Sequence, residues 1–66
     1  MGGNPMSLTQ QFMTLVSALR KPGLDYSQRK VFLDAIRNIA SVADPVKFAV
    51  LRERCAAAIK EFGGEP

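Results

Sequence analysis

From Leu8 onward the apolar side chains recur as Leu8, Phe12, Leu15, Val16 and Leu19. At about 100° per residue these positions draw one narrow stripe along a helix. Ser7 and Gln10 stand three apart just ahead of the run. That is capping-box spacing: the serine hydroxyl accepts from the backbone while the glutamine side chain reaches back to the serine N–H. Arg20 and Lys21 suit the negative end of the helix dipole, and Pro22-Gly23 stops the run, so the pattern predicts helix one over about residues 8–20.

Asp25 and Gln28 repeat the capping-box spacing, and the following segment is far richer in apolar positions: Val31, Phe32, Leu33, Ala35, Ile36, Ile39, Ala40, Val42 and Ala43. On a helical wheel they fill an arc of about 200°, wider than the roughly 100° stripe of an ordinary surface helix. Helix two, about 26–43, is therefore expected to be covered on more than one side. Asp44-Pro45 signals a third start, since aspartate caps and proline at the first helical position gives up an N–H that has no partner there. Helix three is predicted over about 45–62, with Gly63-Gly64 able to supply a left-handed turn at its end. Phe48, Leu51, Cys55, Ala58 and Phe62 alternate by three and four along it, a seam that Ile59 borders. Phe48, Leu51, Cys55, Ile59 and Phe62 are read as a core or dimer seam. The link between helices two and three is so short that they turn back as a hairpin, cross steeply, or merge into one helix kinked at Pro45.

The fold class is thus all-α, three short helices in a small bundle. One domain is expected over residues 8–62, between flexible ends at 1–7 and 63–66. A chain of 66 residues has little core to set against its conformational entropy. Small domains find reinforcement in disulfides, metals or self-association. Cys55 is the only cysteine and there is no histidine, so neither an internal disulfide nor a zinc site is available. Completion of the bundle by a homodimer is the expectation that remains.

One lone thiol without a disulfide framework suits a reducing compartment, and the chain is read as cytoplasmic. No run approaches the roughly 20 apolar residues of a membrane span, and the N-terminus lacks signal-peptide character. Its opening resembles a myristoylation start, but Met6 stands where Ser or Thr is wanted. That second methionine also suggests an alternative start, with residues 1–5 an extension.

Catalysis finds little to work with. The commonest general base, histidine, is missing, and no metal or other cofactor is implied. Cys55 sits on the apolar side of helix three beside Leu51 and Ile59, where an unpaired cysteine packs rather than reacts. Asp25 and Asp44 occupy cap positions, and Asp34, Glu53 and Glu61 lie among basic neighbours. Neither glycine pair lies between strand and helix, so neither reads as a phosphate cradle.

A net charge of +3 and a pI near 9.5 invite a nucleic-acid reading. The nine basic residues are spread along the chain with acids interleaved, and no helix carries an unbroken basic stripe. In a helix-turn-helix, the first turn of helix three would offer Asp44, Pro45, Val46 and Lys47 where base-reading side chains belong. A protein partner is favoured. Tyr26, Lys30 and Arg37 fall within about 40° of one another on helix two, flanked by Arg29, Asn38 and Ser41. Tyrosine and arginine are the side chains that most often carry binding hot spots, which makes Tyr26, Arg29, Lys30, Arg37 and Asn38 the candidate partner-binding residues. Residues 1–19 hold no charge, so the polar face of helix one is a second candidate. The ridge of Val46, Val50 and Ala57 on helix three is assigned to intramolecular packing.

The function expected is that of a non-enzymatic regulatory module, inhibitor or adaptor, docking on a larger protein. Small helical inhibitors of bacteria and their phages share this size and class, a comparison that identifies no target. A small nucleic-acid-binding protein and a structural subunit of a larger assembly are the alternatives.

Overall fold

The computed structural model describes residues 7–63, which form three helices and no strand. The possible start at Met6, the extension before it and the tail from Gly64 onward lie outside the described residues. Helix α1 spans Leu8–Leu19, and both halves of the expected capping box are present. The Gln10 N–H donates to Ser7 Oγ at 3.1 Å and the Ser7 N–H to Gln10 Oε1 at 3.3 Å. After α1 the chain reverses through Gly23 at φ +81°, a left-handed conformation that disfavours any residue with a Cβ. Helix α2 spans Tyr26–Val42 and opens with the second capping box, Gln28 N–H to Asp25 Oδ1 at 2.8 Å and Asp25 N–H to Gln28 Oε1 at 3.3 Å.

The junction after α2 decides among the arrangements left open by the sequence. Ala43 is extended (φ −73°, ψ 135°), so α2 ends there and no kinked continuous helix forms. The Asp44 carboxylate then accepts from the N–H groups of Val46 at 2.8 Å and Lys47 at 2.9 Å, and the Phe48 N–H closes the turn on the Asp44 carbonyl at 2.8 Å. Helix α3 spans Ala49–Gly63, starting later than the Asp44-Pro45 signal suggests. The cap works as expected, but it closes a separate turn over residues 45–48. The helix is then started afresh by the Phe48 carbonyl, which accepts from Arg52 at 2.9 Å. At the other end Gly63 belongs to the helix and is not left-handed.

Helix α2 lies against both of the others. Phe12 and Leu19 from α1, Leu33, Ile36 and Ile39 from α2, and Leu51, Cys55 and Ala58 from α3 form the core, with Ile36 and Cys55 fully out of solvent. Phe48, Ile59 and Phe62 pack against it partly buried. The 3–4 seam of α3 is therefore spent within the chain. Burying a large apolar side chain such as Ile36 contributes about 1.5–3 kcal/mol. No helix is long and apolar enough to cross a membrane.

Two expectations about apolar cover are corrected. The wide arc of α2 is not closed over: Val31 and Val42 are 64 % and 61 % exposed, because α1 and α3 both sit toward its Ile36 side. The ridge expected to pack internally is also open, with Val46 87 % and Val50 64 % exposed and Ala57 at the surface. Val50 and Ala57 lie across α3 from Cys55, on the side that faces away from the core, and Val46 lies in the turn before the helix.

Candidate functional site

The capping box at Asp25 places Tyr26 in the first turn of α2, Arg29 and Lys30 next along, and Arg37 two turns further. Helix α3 returns beside this flank. Together they enclose a cleft of about 220 Å³ lined by Tyr26, Arg29, Lys30, Leu33, Arg37, Ile59 and Gly63. Four of the five residues expected to bind a partner converge there. Asn38 does not: it lies exposed on the far side of α2, about 100° around the helix from Arg37, which is where the next residue must point.

The floor and the rim differ in chemistry. Leu33 is buried at the floor and Ile59 half-buried beside it, so the cleft has an apolar base. The rim is cationic and hydroxylic, with all four rim side chains exposed. Arg37 donates to Asp34 Oδ1 at 3.2 Å, an exposed pair spaced i to i+3 that adds little stability. Arg29 and Lys30 have no carboxylate partner among the described residues.

Electrostatics reinforces the concentration of positive charge. Beyond the Asp25 cap the first turn of α2 holds no acid, and Arg29 and Lys30 follow at the positive end of its dipole. Cations at that end weaken the helix slightly, so local stability does not account for them. The C-terminal end of α3 at Gly63 presents carbonyl groups nearby and offsets part of this field. A carboxylate reaching the rim would meet Arg29, Lys30 and the Tyr26 hydroxyl, while an apolar neighbour on the same ligand could enter over Leu33 and Ile59.

Sequence reasoning assigned Ile59 only to the seam and gave Leu33 no site role. Both sit at the edge of the core face, where one side chain serves the interior and the cleft floor together. The sign was available at Ile59, which stands about 40° around the helix from Cys55, at the edge of the seam.

Cys55 has no exposed surface, and burial pushes its thiol above the ordinary value, which opposes the reactive thiolate. Among the described residues no group of acids and cysteine has metal-binding proximity. On the other side of the molecule the Arg20 guanidinium sits 6.0 Å from the centre of the Phe62 ring, linking the end of α1 to the end of α3. No protein-family model, no curated protein and no solved structure matches this chain.

Proposed function

We propose that this protein is a non-catalytic docking module, an inhibitor or adaptor in type, that grips an acidic and partly apolar segment of a larger protein between α2 and α3. One observation carries the reading: Tyr26, Arg29, Lys30 and Arg37 meet around a single cleft whose floor is Leu33 and Ile59. Tyrosine and arginine at the edge of an apolar pocket are the composition of binding hot spots. Cations at the rim raise the encounter rate with an acidic partner and disfavour basic ones. A nucleic-acid backbone would use the cations but leave the apolar floor idle, which favours a peptide. With its single thiol unpaired and buried, the protein acts in this reading in the cytoplasm.

The test is a titration of isotope-labelled protein with a short amidated peptide alternating glutamate and leucine, beside a single-stranded oligonucleotide of equal charge. Amide shifts are expected at Tyr26, Lys30, Leu33, Arg37 and Ile59 with the peptide. Tyr26→Ala and Arg37→Ala should each weaken its binding by about 1 kcal/mol or more, roughly fivefold. Peptide shifts absent or scattered over other faces would overturn the reading. So would tighter oligonucleotide binding whose affinity falls steeply with salt, the mark of phosphate contacts.

A further inference from the structure

Independently of the cleft, we infer that the uncharged flank of α2, with the adjoining side of α1, is where two copies of this chain meet. Val31, Ala35, Asn38 and Val42 are spaced by four, three and four residues, which sets them on one flank of α2. That spacing is the seam of a coiled coil, and it is distinct from the face that carries Leu33, Ile36 and Ile39 into the core. Val31 and Val42 leave well over half their surface in water. Alongside, Gln11, Thr14, Leu15 and Ala35 line a shallow groove of about 250 Å³ between α1 and α2.

Charge selects the occupant. A two-fold interface sets a patch against itself, so every charge in the patch meets its own copy. At the cleft that operation would bring Arg29, Lys30 and Arg37 against the same cations, and the net charge of +3 adds repulsion. Along α1 there is no charged residue at all, and the α2 flank at Val31, Ala35, Asn38 and Val42 has none. There, unlike at the cleft, self-pairing places apolar surface on apolar surface without opposing like charges. Run antiparallel about the middle of this seam, the two α2 helices put Ala35 across from Asn38 of the other copy and Val31 across from its Val42. The small central side chain permits close approach of the helices, and one asparagine in an otherwise apolar seam fixes its register.

Sedimentation equilibrium of the full chain over a rising concentration series tests this. The unmodified protein should pass from the mass of one chain toward that of two. Val31→Lys and Val42→Lys, at side chains too exposed to support the fold, should keep helical circular dichroism and stay monomeric throughout. Tyr26→Lys, in the cleft, should associate like the parent. A parent that remains monomeric at every concentration would overturn the inference. Association that survives both valine changes would also overturn it, moving the contact to another face such as that of Val46 and Val50. Should the lysine variants lose helicity, the concentration dependence of amide shifts in the unmodified protein decides. Changes centred on Val31, Ala35, Asn38 and Val42 support the contact, and changes elsewhere or none refute it.

Discussion

The two flanks of α2 share one core face yet face the solvent with opposite chemistry. Toward α3, Tyr26, Lys30 and Arg37 stand over a cleft with an apolar floor, while toward α1 the side chains are Val31, Ala35, Asn38 and Val42. Each flank is completed by a neighbour of matching character. Helix α1 brings only uncharged residues, and α3 brings Ile59 and its C-terminal end at Gly63. A single helix can therefore serve two kinds of contact: a cationic one suited to a dissimilar, acidic partner and an uncharged one suited to an identical copy. Separation around the helix lets each surface be changed alone, provided the shared core holds.

The largest expected effect removes that proviso. Ile36 is fully buried between the flanks, and Ile36→Ala should cost about 2–5 kcal/mol, degrading cleft and flank together. Denaturant unfolding followed by helical circular dichroism measures it. If peptide binding persisted in a variant so destabilised, the cleft would not depend on the packed core.

Next in size is the turn that joins α1 to α2. Gly23 has open space where a Cβ would stand, so Gly23→Ala meets no clash, only the left-handed φ of +81°. About 1–2 kcal/mol is expected for a side chain in that conformation. The loss should fall on the α1 side: hydrogen exchange should accelerate in α1 more than in α3, with peptide affinity at the cleft nearly unchanged.

Surface changes should leave stability within about 0.5 kcal/mol of the parent. Tyr26→Ala and Val42→Lys, both at exposed positions, should melt alike at concentrations low enough to keep the parent a single chain. They should nevertheless part on function, the first weakening the acidic peptide and the second self-association. Matching losses in both assays from either variant would show the flanks to be coupled.

The smallest effect is a pH dependence centred on the other turn. Hydrogen bonds from the Lys47 and Val46 N–H groups, helped by the charge of Arg52, hold the Asp44 carboxyl below its ordinary value of 3.8. Its contribution is therefore fully present above that value and is lost as the pH falls through the lower folded-state value. Because this turn directs α3 back along the cationic flank, acidification should loosen the cleft before the α1 flank. Asp44→Asn, which keeps a capping oxygen but cannot titrate, should flatten the acid limb of the melting curve.

Both capping boxes and the Asp44 cap were legible in the sequence because each is a contact between residues two or three apart, which needs nothing beyond the chain's own covalent reach. The rim of the cleft was legible for a related reason: helical periodicity alone groups Tyr26, Lys30 and Arg37. Periodicity also misled. It spread the apolar arc of α2 through Val31 and Val42, since a wheel shows which residues are neighbours but not which neighbour another helix will cover; Asn38, about 100° from Arg37, is set off the cationic ridge by the helical repeat itself.

The sequence by itself determined that there are three helices, where α1 and α2 start and the composition of the helix faces, all set by local hydrogen bonding and the helical repeat; α3 begins only at Ala49, after a separate turn. Tertiary structure alone decided that Ala43 is extended and α3 folds back, that α3 buries Cys55 and brings Ile59 under the rim, and that α1 and α3 leave Val31 and Val42 bare. The reason is geometric. Three short helices can bury one face each against one another, and which flanks remain open follows from the turns between them, where a single backbone angle at Gly23 or Ala43 redirects every residue that comes after.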